Sequence, residues 1–310
     1  MPDSIRAFAP ATVANVACGF DIMGFAINKP GDEVELRRKS SPGIEICRIT
    51  GDHGRLPYDA DKNTAGIAVA RFLAHTGFDQ GIEIDLHKKM PLGSGMGSSA
   101  ASAVAALFAV NKLFDDPLSL RELLPFAMQS EGIASGAAHA DNVAPSLLGG
   151  FILIRSYDPL DIIQIPTPEH LYCTLLHPQI EVLTDDARRI LKKQILLKDA
   201  IVQWGNVAGL ITGLMTSDYT LISRSMKDVI IEPVRSLLIP GYDEIKEAAI
   251  GAGALGCSIS GSGPSIFALS TEMATATGVG EVMQTTCSAQ DIDSEVYISP
   301  INKHGPHLLN

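Results

Sequence analysis

A short loop rich in glycine and serine runs directly into a long uncharged segment, and together they occupy residues 90–111. Such a segment could be a membrane span, a flexible linker or a phosphate-binding loop followed by a buried helix. A membrane-spanning helix needs about 20 strongly apolar residues. This segment contains Pro91, several glycines and serines, and an apolar part that is mostly alanine. The pattern therefore favours a buried helix of a soluble protein.

The residues on either side place the loop between a strand and a helix. Residues 82–88 alternate between apolar and polar side chains, which is typical of a half-buried strand. Residues 98–114 are rich in helix formers and begin with serines that can cap, so they predict a helix roughly 25 Å long. The glycines therefore lie just before a helix N-terminus.

A glycine loop in this position suits an anion. Glycines let backbone amides approach a ligand closely, and a helix N-terminus adds its dipole and free N–H groups. Ser98 and Ser99 add hydroxyl groups. The loop is not a Walker A motif, because no Lys-Ser/Thr follows the glycines, and it is not GxGxxG. Composition alone leaves a phosphate site and a tightly packed glycine turn equally open.

The other patterns predict an α+β protein of two domains. The Pro-rich stretch near residues 163–170 is the best boundary, so we expect domains at residues 1–165 and 166–310. Among the further elements, a long helical stretch is predicted from Leu196 to Ser225, and residues 256–270 predict two short strands around a glycine turn.

Charge and cysteine content exclude several classes of protein. The net charge of −11 repels nucleic acids and anionic lipids, so we expect neither as a partner. The five cysteines are far apart, form no CxxC pair and have no metal-site spacing with the eight histidines. The N-terminus has no basic region followed by an apolar run. A cytoplasmic protein with reduced thiols is expected.

Four motifs resemble a known superfamily. Residues 91–101, PLGSGMGSSAA, resemble the P-x-x-x-G-L/M-G-S-S-A signature of the GHMP kinases. Residues 9–27 and 135–151 are similar to motifs of the homoserine kinase branch, and residues 253–269 to the C-terminal glycine-rich motif. The resemblance covers nearly the whole chain in the right order. It implies an N-terminal domain like ribosomal protein S5 domain 2 and a ferredoxin-like C-terminal domain, with ATP and substrate between them.

One departure separates the branches of the superfamily. Galactokinases and mevalonate kinases usually carry G-E-H near the N-terminus, where this chain has VACGFD at residues 16–21. The resemblance therefore favours the homoserine kinase branch.

The resemblance also implies ATP and Mg²⁺ as cofactors. Ser98 and Glu131 are then the Mg²⁺ ligands, although the residues alone favour a helix cap for Ser98 and a solvated helix end for Glu131. Asn63 either contacts the adenine side of ATP or caps the next helix. The implied ATP contacts are Asn63, Pro91, Leu92, Gly93, Ser94, Gly95, Met96, Gly97, Ser98, Ser99, Ala100 and Ala101. Lys88 and Lys89 either help to hold the phosphates or mark a strand end in solvent, and the second interpretation is favoured.

Asn142 stands eleven residues after Glu131, where mevalonate kinase-like members carry an aspartate thought to be the base. An amide cannot usefully accept a proton, and a loose phosphoryl-transfer transition state reduces the need for a strong base. We therefore expect Asn142 to position the nucleophilic hydroxyl or the γ-phosphate. Asp141 and His139 remain open as alternative bases.

The implied substrate, L-homoserine, carries an ammonium, a carboxylate and the reacting hydroxyl. Asp21, with Asn15 beside it, is the candidate for the ammonium, and Arg188 and Arg235 are the candidates for the carboxylate. Thr184 lies four residues before Arg188, on the same face of a helix. His139 is a further candidate for the pocket. The simpler interpretations are a helix cap for Thr184 and a solvated face for Arg188.

The resemblance thus implies a kinase that converts L-homoserine to O-phospho-L-homoserine on the route to threonine, and it implies a homodimer. Two alternatives remain. One is a kinase of another small alcohol, and the other is a sensor of the same fold that binds a ligand without turnover. The intact loop, Ser98 and Glu131 argue against the sensor.

Overall fold

The structure, a computed structural model, describes residues 3–135 and 139–309. Residues 136–138 of the motif at 135–151 lie outside this range. The described residues form a seven-stranded and a four-stranded sheet, with helices packed against both.

The elements follow one another along the chain in two groups. The first group is β1 (Ser4–Ala14), β2 (Met23–Lys39), β3 (Ile44–Thr50), α1 (Thr64–Thr76), β4 (Gly81–His87), α2 (Ser98–Leu113), α3 (Leu120–Ser135), α4 (Ala140–Leu148), β5 (Phe151–Tyr157) and β6 (Leu160–Ile165). The second group is β7 (Tyr172–Pro178), α5 (Thr184–Arg189), α6 (Leu197–Thr216), α7 (Tyr219–Ser225), α8 (Glu232–Arg235), α9 (Tyr242–Gly251), β8 (Gly256–Ile259), β9 (Ile266–Ser270), α10 (Met273–Ser288), β10 (Ser294–Pro300) and β11 (His307–Leu309).

The two sheets divide the chain near the Pro-rich stretch. In the larger sheet β2 lies between β1 and β4, both antiparallel to it, and β3 runs parallel to β4. β5 pairs with β2 and with β6. The smaller sheet has the order β10-β7-β9-β8 and is antiparallel throughout. The last strand, β11, pairs back with β1, so the end of the chain returns to the larger sheet.

Helix α2 is the core of the first part of the chain. It begins at Ser98, as its sequence predicts, and is buried on nearly every face. It packs against β1 and β2 of the larger sheet and against helices α1 and α3. Alanine side chains allow this close approach, which explains the uncharged run as a buried helix. In the part of the chain that is described, no helix is both long and apolar enough to cross a bilayer.

The predicted helical stretch from Leu196 to Ser225 is helical, and it is divided into two helices, α6 and α7. Ser217 ends α6 in the left-handed region at φ 55°. The Asp218 side chain then accepts a hydrogen bond from the Leu221 backbone N–H at 2.9 Å and caps α7. A side chain that satisfies a free N–H group favours a new N-terminus over continuation of the helix.

Candidate active site

A cavity of about 210 Å³ collects residues from both parts of the chain. It brings together most of the predicted site residues: Asn15, Asp21, Leu92, Gly93, Ser94, Gly95, Gly97, Ser98, Ser99, Ala100, Glu131, His139, Asn142, Thr184, Arg188 and Arg235. Asp141, Gly261 and Ser262 line it as well. Residues more than 200 positions apart in sequence therefore face one space.

The glycine loop forms one end of this cavity. Gly93, Gly95 and Gly97 have φ of 69°, 77° and 66°, which favours glycine. Gly97 occupies the N-cap position of α2 and no side chain caps the helix, so the first amides of α2 are available to a ligand. A Cβ on Gly95 would overlap the carbonyl of Ser260, in the turn between β8 and β9. The loop is therefore packed against the second sheet.

A buried ion pair lies beneath the loop, and this corrects the interpretation of Lys88 as a solvated strand end. The Lys88 ammonium contacts the Asp32 carboxylate, and both side chains are 1% exposed or less. Lys88 also donates to the Ser98 carbonyl at 2.8 Å and to Ser102 Oγ at 2.7 Å. Asp32 Oδ1 accepts the backbone N–H of Lys89 at 2.8 Å. The pair thus holds both ends of the loop.

Glu131 and the first serines of α2 meet beside the loop. The Ser99 hydroxyl donates to the Glu131 carboxylate, and the Ser98 hydroxyl donates to Asp32 Oδ2 at 3.2 Å. Burial raises the pKa of Glu131, while the Ser99 bond and the Lys88 charge oppose that rise. Among the described residues no group of three or more His, Cys, Asp or Glu side chains could hold a metal. A cation here would need ligand oxygens besides those of the protein.

The other end of the cavity is charged. Asp21 Oδ1 accepts a hydrogen bond from Arg188 at 2.8 Å, so these two predicted substrate contacts pair with each other. Arg188 also contacts His139 Nε2 at 2.7 Å. Burial, followed by the Arg188 charge, lowers the pKa of His139. The imidazole is therefore neutral near pH 7.

Arg235 is only 4% exposed and completes this charged end. It donates to the carbonyls of Gly261 at 2.9 Å and Ala187 at 3.2 Å. Its guanidinium carbon lies 4.9 Å from the centre of the Phe20 ring. Burial and then the charge of Arg188 lower the pKa of Arg235. Because Arg188 and Arg235 both place a positive charge at this end of the cavity, it attracts an anion.

The segment after β1 turns sharply and carries two predicted contacts. Asn15 and Asp21 have φ of 70° and 59°, a region that Asn and Asp tolerate. The Asn15 amide donates to the Gly261 carbonyl at 2.7 Å and accepts the Asp21 N–H at 3.0 Å. Tyr157, which sequence reasoning missed, donates its hydroxyl to the Asp21 carbonyl at 3.0 Å. The Asn15 side chain therefore holds two backbone segments of the site, at Asp21 and at Gly261.

Thr184 and Arg188 lie on the short helix α5, as their spacing predicts, and both line the cavity. The N-cap of α5 is Leu183, so Thr184 is not the cap. The Thr184 hydroxyl lies 3.3 Å from Ser262 Oγ.

Four of the predicted ATP contacts lie outside the cavity. Asn63 is the N-cap of α1, accepting from the Ala65 N–H at 3.0 Å and donating to the Pro57 carbonyl at 3.0 Å. Of the two interpretations of Asn63, the structure therefore agrees with the helix cap. Met96 and Ala101 are buried in the core. Pro91 lines a second cavity, which Leu92 also lines.

Asn142 and Asp141 lie in the first turn of α4, and both line the cavity. Asn142 Oδ1 accepts a hydrogen bond of 2.7 Å from the hydroxyl of Thr12, another residue that sequence reasoning missed. Asp141 Oδ1 is buried and has no hydrogen-bond partner among the described residues. Burial and then the charge of Asp21 raise the pKa of Asp141 to about 7.

The chain matches both halves of one family. Residues 63–150 match the GHMP kinases N terminal domain, and residues 210–289 match the GHMP kinases C terminal family. The homoserine kinase of Chlorobium phaeobacteroides (strain BS1) is 52% identical over 318 residues, covering 99% of each chain. The homoserine kinase of Xylella fastidiosa (strain M12) is 40% identical, covering 98% of this chain and 94% of the relative.

Solved structures agree with these matches. The crystal structure of homoserine kinase from Cytophaga hutchinsonii has a TM-score of 0.98 and 58% identity, covering 100% of this chain and 98% of that one. The mevalonate kinase of L. major, at 17% identity and a TM-score of 0.73, covers 95% of each chain and shows the same fold.

The two-part fold and the glycine loop at the start of α2 therefore define a kinase of the GHMP class, and the expected fold class is confirmed. Kinases of this class use ATP. Identity above 50% over the full length narrows the assignment further, and the chain belongs to the homoserine kinase family.

The buried pair beneath the loop generates a stability prediction. Lys88→Met leaves the Asp32 carboxylate buried without its cation, so we expect the free energy of unfolding to fall by roughly 3–5 kcal/mol. Lys89→Met is the matched control, because Lys89 is exposed. Denaturant unfolding measures both variants, and adding Asp32→Asn to Lys88→Met is expected to restore part of the loss. Equal stability of the two single variants would contradict the proposed anchoring.

Proposed function

We propose that this protein transfers the γ-phosphoryl group of ATP to the side-chain hydroxyl of L-homoserine, giving O-phospho-L-homoserine on the route to threonine in the cytoplasm. The observation that carries this proposal is the arrangement of one cavity. A glycine loop and a helix N-terminus face one end of it, and Asp21, Arg188 and Arg235 face the other. Triphosphate and a zwitterionic amino acid suit these two ends.

Homoserine would bind by exchanging partners within the charged end. Asp21 and Arg188 are partly exposed, at 30% and 37% of their side-chain surfaces, and each is accessible to a ligand. The ammonium of the substrate takes over Asp21, and its carboxylate takes Arg188 and Arg235. No charge is left unpaired in this exchange, which keeps the cost of desolvation low.

The substrate is tested by ADP release with homoserine, galactose and mevalonate in parallel. We expect turnover with homoserine, and a rise in KM for homoserine of roughly 100-fold or more in Arg188→Met, since a charged hydrogen bond is lost. Arg189→Met, an exposed neighbour, is the control. Turnover with only another alcohol would support a different small-molecule kinase. Absence of turnover with all three would support the sensor.

Mg²⁺ belongs to this proposal as the partner of ATP. Ser98 and Glu131 supply hard oxygens at the loop end of the cavity, and one or two protein ligands suffice when phosphate and water complete the shell. The ion would neutralise charge on the phosphates. Asp32 accepts the Ser98 hydroxyl hydrogen, so the lone pairs of Ser98 Oγ remain available for a cation.

Glu131→Gln keeps the shape of the side chain and removes its charge. We expect kcat to fall roughly 10-fold or more, and we expect the Mg²⁺ concentration that gives the half-maximal rate to rise. Ser99→Ala, which removes the bond to Glu131 but keeps the Glu131 charge, is expected to have a smaller effect on the Mg²⁺ dependence. Titration of activity against free Mg²⁺ measures both variants. Wild-type kinetics of Glu131→Gln at low Mg²⁺ would remove Glu131 from the metal shell.

Asn142 positions the reactants in this proposal. The substrate hydroxyl attacks the γ-phosphorus directly as ADP leaves, and it loses its proton late, to the transferred phosphoryl group or to water. Asp141 then acts through its charge. With a pKa of about 7 it is ionised above neutral pH and strengthens binding of the substrate ammonium. The bound ammonium in turn favours the ionised form of Asp141.

We therefore expect kcat/KM for homoserine to rise as pH increases through about 7, because this ratio reports the free enzyme, with kcat flat from about pH 5 to 8. Asp141→Asn is expected to abolish the rise in kcat/KM, and His139→Gln is expected to retain it. Rate profiles of the three proteins against pH measure this. An acid limb in kcat itself that either variant abolishes would identify a general base and contradict direct attack.

We also infer a homodimer. Helix α6 exposes large apolar side chains, with Leu197 at 68%, Ile201 at 56% and Trp204 at 62% exposure. A contiguous apolar patch marks an interaction surface, and a twofold dimer buries the same patch on both copies. Sedimentation is expected to give twice the chain mass of 32.9 kDa. Ile201→Glu is expected to give a monomer, and Leu237→Glu, at an exposed position outside α6, to remain dimeric. A monomeric wild type would contradict the dimer.

A further inference from the structure

Thr12 connects two parts of the site that are far apart in sequence. It lies near the end of β1 with no exposed surface. Its backbone N–H donates to the carbonyl of Met96 in the glycine loop at 3.0 Å. Its hydroxyl donates to Asn142 Oδ1 at 2.7 Å. A single buried residue therefore contacts both the glycine loop and Asn142, which lines the cavity.

In the structure the Thr12 hydroxyl bonds to the oxygen of the Asn142 carboxamide and not to its nitrogen. A carboxamide offers an acceptor oxygen on one side and two N–H donors on the other. Because Oδ1 receives the Thr12 hydrogen, the Nδ2 group is the part of Asn142 left for the cavity, which Asn142 lines. The glycine loop packs directly against this hydrogen bond. A Cβ on Gly97 would overlap both Thr12 Oγ1 and Asn142 Oδ1.

We propose that Thr12 is a positioning residue that fixes the Asn142 carboxamide with Nδ2 toward the transferring phosphoryl group. This rests on the proposed kinase function and deepens it. Asn142 then donates a hydrogen bond to a phosphoryl oxygen, where charge accumulates during transfer, and its amide oxygen takes no proton from the substrate. The backbone bond to Met96 keeps the loop at a fixed distance from this donor.

Thr12→Val removes the hydroxyl and keeps the size, the branched Cβ and the backbone N–H. We expect kcat to fall roughly 10- to 100-fold, because the freed amide loses its fixed orientation, with KM values for ATP and homoserine within about twofold of wild type. Thr12→Ser restores the hydroxyl and is expected to restore most of kcat. Thermal unfolding identifies any variant that does not fold, and Thr12→Ala then replaces Thr12→Val.

A double-mutant cycle separates orientation from general packing. In an Asn142→Ala background there is no amide to orient, so Thr12→Val is expected to cause no further loss of kcat. The same fold-loss in both backgrounds, or a Thr12→Ser variant as slow as Thr12→Val, would overturn the proposal. If the wild type phosphorylates a different alcohol, the same cycle applies to that alcohol, so the substrate assignment fails separately.

A measurement without turnover gives a second reading. The side-chain ¹⁵NH₂ signal of Asn142, assigned by its absence in Asn142→Ala, is expected to shift when a non-hydrolysable ATP analogue binds. The shift is expected to be retained in Thr12→Ser and to be at least halved in Thr12→Val at saturating analogue. An equal shift in wild type and Thr12→Val would show that the hydroxyl does not set the orientation of the amide, even if no alcohol is turned over.

Discussion

The buried contact between Asp32 and Lys88 is the interaction on which the site depends. The glycine loop has left-handed backbone at Gly93, Gly95 and Gly97, and these three residues have no side chains that could fix its shape. Asp32 accepts the backbone N–H groups at the start of the loop, and Lys88 donates to the carbonyl of Ser98 where the loop becomes α2. Two opposite charges, each satisfied by several hydrogen bonds, therefore fix both ends of a segment that must present free amides to an anion.

The same constraint explains why α2 is built mostly from small residues. Its N-terminus must lie between β1 and the turn that joins β8 to β9, so the helix runs through the core rather than over its surface. Small side chains let it approach β1 and β2 closely. The uncharged run is thus a consequence of placing a helix N-terminus at the centre of the protein, and its burial anchors the loop from behind.

The sequence predicted those parts of the fold that depend on neighbouring residues. The loop, the start of α2 and the short strands around residues 260–265 follow from glycine positions and periodicity. Contacts across the fold carry no such signal. Asp32 and Lys88 are 56 positions apart, and Thr12 and Asn142 are 130 apart, so each looks like an ordinary polar residue in sequence. The resemblance to a family predicted the substrate contacts. It did not predict that Asp21 and Arg188 would pair with each other.

That pairing has a consequence for selectivity under the proposed function. A ligand that enters the charged end separates Asp21 from Arg188 and so breaks their ion pair. Each of the two side chains gains a new charged partner only if the ligand carries both an ammonium and a carboxylate. A neutral sugar offers neither charge. A hydroxy acid without an amine satisfies Arg188 and Arg235 and leaves Asp21 without its cation, beside the buried Asp141 carboxyl. Because unpaired charge in a partly desolvated site is costly, the resting ion pair discriminates against near relatives of the substrate before any contact with the hydroxyl is made.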